Sequence, residues 1–63
     1  MNVHRCYFLD RNRRIIERQD FHAGSDSEAI AAARGFTAER TMLGFELWEG
    51  IRRVRNEQRE LPR

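Results

Sequence analysis

The sequence predicts an α+β fold of order strand, strand, helix, strand, strand: an antiparallel four-stranded sheet with one helix packed on one face. Three observations predict it. Two β-favouring stretches, "VHRCYFLD" and "IIERQDFHA", flank a polar turn. A helix-start signal opens "GSDSEAIAAARGFTAER", after which apolar residues recur at helical spacing. A second pair of alternating stretches meets at Glu49-Gly50 within "FELWEGIRRV".

The first hairpin turns at Asp10, Arg11, Asn12 and Arg13, where Asn tolerates the left-handed backbone that such turns require. In the first strand, Val3, Arg5, Tyr7 and Leu9 alternate with His4, Cys6, Phe8 and Asp10. Both sets contain apolar residues, so this strand is expected at the centre of the sheet, contacted on both faces. Tyr7 and Leu9 are assigned to the core, Cys6 and Phe8 to the open face. A one-residue slip would exchange the two sets.

Ser25 and Glu28 stand at capping-box spacing, and Asp26 and Glu28 place negative charge at the positive end of the helix dipole. Ala29, Ile30, Ala33 and Phe36 or Thr37 form the apolar stripe, and the helix is expected to end near Glu39 or Arg40. Gly35 is read as a point of close approach to the sheet. "TMLG" is the connector to the second hairpin.

With Glu49-Gly50 as a two-residue loop, Trp48 faces Ile51, Leu47 faces Arg52, Glu46 faces Arg53 and Phe45 faces Val54. Phe45, Leu47 and Val54 then share one face, the better core set. Trp48 and Ile51 lie on the other, beside a Glu46–Arg53 charge pair that prefers solvent. The chain's one tryptophan is thus expected to point away from the helix. A crossover between hairpins gives the spatial order 2-1-3-4. Residues 1–55 form the single domain, and 56–63 are expected to fray as a polar tail.

Composition narrows the function classes. A chain of 63 residues buries only about 60% of its unfolded surface. Cys6 is the lone cysteine, so no internal disulfide can staple the fold. Self-association is the remaining usual support for so small a fold. No apolar run approaches the roughly 20 residues that span a bilayer, and "MNVHRCYFLD" lacks signal-peptide features, so a cytoplasmic location is expected. All 12 basic residues are Arg, against 10 acidic residues. The acids are interleaved with them along the chain, unlike the one-sign patch of a nucleic-acid footprint; codon usage in a GC-rich genome accounts for Arg in place of Lys.

The three longer stretches "YFLDRNRRII", "DFHAGSDSEAIAAA" and "FELWEGIRRV" together resemble a family of very short α-proteobacterial proteins of unknown function. Its recurring features are a Tyr-x-Leu-Asp strand end, a Ser-Asp-x-Glu-Ala-Ile helix start and a Glu-Leu-Trp-x-Gly hairpin. The resemblance runs from Tyr7 to Val54. It departs in the first turn, where Arg13 or Arg14 replaces the usual Gly. It implies the ββαββ fold and supplies no activity, ligand or catalytic residue.

Three candidate sites remain. Cys6, Phe8, Trp48 and Ile51 compose an interaction face, with Ile16 at its margin; such apolar patches mark contact sites. The expected function is therefore a non-enzymatic interaction module, a homodimer joined through the uncovered sheet face or an edge strand, with an unidentified protein partner as a further possibility. Arg52, Arg53, Arg55 and Arg59, with Trp48 for base stacking, form the alternative, a weak nucleic-acid contact. His4, Cys6 and His22 could supply three metal ligands or a nucleophile with its base. Three soft ligands fall short of a structural zinc set, and nothing in the sequence orients the His. No metal, cofactor or catalytic residue is therefore assigned. The bland reading of the His4–Cys6 pair is a small apolar Cys beside a surface His.

Overall fold

The computed structural model describes residues 2–58. The elements are β1 (Asn2–Leu9), β2 (Ile15–Ala23), α1 (Asp26–Glu39), β3 (Gly44–Glu49) and β4 (Arg52–Gln58). They form one antiparallel sheet of order β2-β1-β3-β4, with α1 against one face. The predicted fold class and strand order are those observed. The strand β4 continues through Gln58, so Asn56–Gln58 belong to the sheet rather than to a polar tail; residues 59–63 lie outside the described residues.

The β1–β2 hairpin closes as a three-residue loop. The Asp10 N–H donates to the Arg14 carbonyl (3.1 Å), and the Arg13 N–H donates to the Asp10 carbonyl (3.0 Å). The Asp10 carboxylate accepts from the N–H groups of Asn12 (2.8 Å) and Arg14 (3.0 Å). The left-handed residue is Arg13, at φ 61, not Asn12.

Helix α1 starts as its sequence dictates. Ser25 is the N-cap, and its hydroxyl accepts from the Glu28 N–H at 3.2 Å. The Glu28 carboxylate reaches one residue further back than a capping box requires, accepting from the Gly24 N–H at 3.0 Å. The C-terminus closes with Met42 N–H on the Thr37 carbonyl and Thr41 N–H on the Ala38 carbonyl, both 3.1 Å. That is a Schellman motif, with Thr41 at φ 54 where Gly is usual.

The core lies between α1 and the sheet. Cys6, Phe8, Ala23, Ala29, Ala33, Phe45 and Leu47 form its contiguous cluster, ringed by Phe21, Ile30, Phe36, Met42 and Val54. Small residues line the buried stripe of the helix (Ala29, Ala33 and Thr37), which lets it sit close. The Thr37 hydroxyl donates to the Ala33 carbonyl at 2.6 Å, satisfying its polar group internally. At the far end, Gly44 packs against β4 so tightly that a Cβ would lie 2.7 Å from the Glu57 carbonyl oxygen. Gly35, by contrast, is exposed and faces open space, so it provides no close approach.

Two registers differ from the expected ones. In β1, Cys6 and Phe8 face the helix and are fully buried, while Tyr7 is half-buried on the open side. Charge explains the choice. Arg5 and Tyr7 share a face, and Arg5 stands opposite Asp20 on β2. Burying that face under α1 would strip solvent from an ion pair, whereas His4, Cys6 and Phe8 include no fixed charge. Leu9 is buried, as expected, but outside the contiguous cluster.

The β3–β4 loop is Gly50-Ile51, with Glu49 facing Arg52. Gly50 has φ 58 and Ile51 does not share the positive φ, the pattern of a II′ turn with Gly first. The whole strand therefore slips relative to the expected pairing. Trp48 faces Arg53, Leu47 faces Arg55, Glu46 faces Asn56 and Phe45 faces Glu57, with a bulge at Val54. Ile51 is carried to the loop tip and is 98% exposed.

Candidate interaction face

The open side of the sheet is assembled from alternate residues of every strand. β1 supplies Val3, Arg5 and Tyr7; β3 supplies Glu46 and Trp48; β2 supplies Arg18, Asp20 and His22; β4 supplies Arg53. At the centre, Arg5 stands opposite Trp48 and Tyr7 opposite Glu46. A groove of about 640 Å³ runs along them, bounded by Val3, Ile15, Gly50 and Ile51.

Polar groups at the centre are paired. Arg5 donates to Asp20 through Nε (2.9 Å) and a terminal nitrogen (3.2 Å). That fork raises the Arg5 pKa and holds the Asp20 carboxyl below its ordinary range. The Trp48 indole N–H donates to Glu46 at 3.1 Å. Arg53 approaches the same carboxylate at 4.0 Å and lies 5.8 Å from the Trp48 ring. With these groups satisfied, the apolar margin is what the face offers: Val3 is 52% exposed and Ile15 55%.

Of the four residues predicted for this face, the structure places Trp48 on it and Ile51 at its rim. Cys6 and Phe8 are corrected to the core. Burial pushes the Cys6 thiol up to about 12, so it is a protonated packing group at neutral pH, unlike a nucleophile. Arg5, Tyr7 and Val3 were missed. The charge of Arg5 is the one sequence signal for them, but Asp10 charges the alternate set too, so it decides only through the pairing of Arg5 with Asp20 on β2.

The arginine alternative is dispersed by the pleat. Arg52 reaches the helix N-terminus, donating to both Asp26 oxygens (3.0 and 2.9 Å) and to Glu49 (2.7 Å). Arg53 lies on the open face with Glu46, and Arg55 pairs with Glu57 at 3.3 Å. Arg59 lies outside the described residues.

The His4, Cys6 and His22 set is likewise divided. His22 faces Val3 on the open side, whereas His4 and Cys6 face the helix. Among the described residues, no group of three or more His, Cys, Asp or Glu side chains could hold a metal ion. His4 is not a surface residue: it is 1% exposed and stacks on Phe21 at 5.8 Å. Its Nδ1 lies 3.1 Å from the Asn2 carbonyl oxygen. Its Nε2 has no hydrogen-bond partner among the described residues and sits 3.8 Å from carboxylate oxygens of both Asp26 and Glu49. Hydrogen bonds from Arg52 are the main reason both carboxyls lie below their ordinary pKa. This cluster ties β1, α1, β3 and β4 together at one end of the core.

No protein-family model matches the chain, and neither a curated protein nor a solved structure shows significant similarity to it. Among the described residues, no helix is long and apolar enough to cross a membrane.

Proposed function

We propose that this protein is a non-enzymatic interaction module that self-associates through its uncovered sheet face. The observation that carries the reading is the groove from Val3 to Ile51, centred on Trp48, Tyr7 and Arg5. These are the residue types enriched at binding hot spots, and they share one continuous face whose central charges, Arg5 with Asp20 and Glu46 with Arg53, are already paired. A two-fold homodimer is the commonest way to cover such a face. The small core on the opposite side leaves the fold with much to gain from that contact.

Light scattering on a sizing column, at several concentrations, tests the reading. The expected result is a mass above the monomer that rises with concentration, and that Trp48→Arg lowers without loss of helicity. A monomer at every concentration, or an unchanged mass for Trp48→Arg, would overturn it. Nucleic-acid contact through Arg52, Arg53 and Arg55 is less well supported, since each guanidinium already faces a carboxylate. In that reading affinity would fall steeply with salt.

A further inference from the structure

Among the described residues, the strand β2 is a free edge: its one neighbour is β1, and its nine residues contain no proline. An edge of this length presents a row of unpaired backbone N–H and C=O groups, ready for another strand. The side chains along it specify which strand. Arg18, Asp20 and His22 point to the open face, opposite Tyr7, Arg5 and Val3. Glu17, Gln19 and Phe21 point to the helix side, opposite Phe8, Cys6 and His4.

We infer that the β2 edge pairs antiparallel with β2 of a second copy, about a two-fold axis through Gln19. Such an axis is normal to the sheet, so open-face residues meet open-face residues. Centring it on Gln19, the midpoint of Ile15–Ala23, lets the regular stretch Glu17–Phe21 face its counterpart, clear of the bulge at Ile16 where the β1–β2 register shifts. In this register Arg18 of each copy stands opposite Asp20 of the other, giving two reciprocal opposite-charge pairs. The neighbouring registers are opposed: an axis at Arg18 sets Arg18 against itself, and an axis at Asp20 sets Asp20 against itself. On the helix side the axis carries only the uncharged Gln19, which accepts from Arg40 at 2.6 Å.

The geometry leaves room for both helices, which lie on the same side of the joined sheet. α1 packs over the middle of its own sheet, with its closest packing on β3. Strands spaced 4.7–4.9 Å apart then hold the two helix axes about 19 Å from each other, about twice the distance of packed helices. The result is an eight-stranded sheet with a doubled open face. The contact uses backbone groups of β2, not the surface of Trp48, so it stands or falls separately from the open-face reading.

Charge reversal tests it by complementation. Arg18→Glu sets a second carboxylate against Asp20 of the other copy; Asp20→Lys sets an ammonium against Arg18 of the other copy. Each variant alone is expected to weaken the dimer about tenfold or more. In a one-to-one mixture the mixed dimer regains both pairs. The carboxylate introduced by Arg18→Glu meets the ammonium introduced by Asp20→Lys, and the unmodified Asp20 of the first chain meets the unmodified Arg18 of the second. The mixture should therefore recover the dimer, read by sedimentation. Dimers of unchanged strength in either variant, or a mixture no tighter than its components, would overturn the inference. Since Asp20→Lys also removes the partner of Arg5, hydrogen exchange on the unmodified chain provides a second test. The outward amides of β2 should gain protection as concentration rises, in Trp48→Arg as in the parent; amides that exchange freely at every concentration would refute the pairing.

Discussion

The helix-covered face and the open face of the sheet come from alternate residues of the same strands, yet they are built on different terms. The covered face buries Phe8, Phe45, Leu47 and Cys6 completely and keeps its ion pairs at the rim, where Arg52 meets Asp26 and Arg34 meets Glu57. The open face does the reverse. Its charged and aromatic residues stand at the centre and its apolar residues, Val3, Ile15 and Ile51, at the margin. The difference separates what folds the chain from what is left uncovered: stability comes from the first arrangement, and the proposed contact falls to the second.

The sharpest way to break that comparison uses neighbours on β1. Phe8→Ala empties a fully buried ring site and is expected to cost about 3–5 kcal/mol, enough to unfold so small a domain. Tyr7→Ala, one residue away on the open side, should cost roughly 1 kcal/mol or less and act mainly on association. Urea unfolding followed by circular dichroism checks both. Equal costs would mean that the two faces share the burden of stability.

Gly44→Ala comes next. The added methyl would meet the Glu57 carbonyl and force β4 outward, at about 1–3 kcal/mol, measurable in the same denaturation series.

Acid should act on both faces alike. Asp26, Glu49 and Glu57 at the rim of the covered face, and Asp20 on the open face, all have carboxyl pKa values lowered by arginine hydrogen bonds. A lowered folded pKa means the unfolded chain binds protons first. Their stabilisation is therefore complete above the ordinary carboxylate range, near pH 4, and is lost as pH falls through the folded values. Melting temperature against pH should decline below that range. The decline should be shallower in Asp26→Asn, which removes one of the titrating groups.

The smallest expected effect lies on neither face. Gly35 is on the exposed side of α1 with nothing near it, so Gly35→Ala should stabilise the fold by about 1 kcal/mol and leave association untouched. A changed mass would place the outer side of the helix in an interface.

Periodicity and turn chemistry carried much of the fold into the sequence. Ser25 with Glu28 located the helix start, the stripe at Ala29, Ala33 and Thr37 located its buried side, and alternation placed Phe45, Leu47 and Trp48 on their correct faces. Registers were less legible, because a period of two cannot distinguish a strand from itself slipped by one residue. In β1 both sets hold aromatic residues, and the deciding factor was tertiary: Arg5 needed Asp20 from another strand. At the second turn, Glu-Gly read as a loop with Gly second, whereas the backbone places Gly50 first. That single shift sends Ile51 out of the sheet. His4 read as surface because a histidine's burial depends on what closes over it, here Phe21 and the helix N-terminus.

Trp48 is the chain's one indole, and it sits half-buried at the centre of the open face. Its fluorescence therefore belongs to that face alone, free of any background from the core. A partner settling on the groove would change the emission maximum and shield the ring from acrylamide, in a protein carrying no label. The residue expected to hold the contact is also the optical probe that reports it.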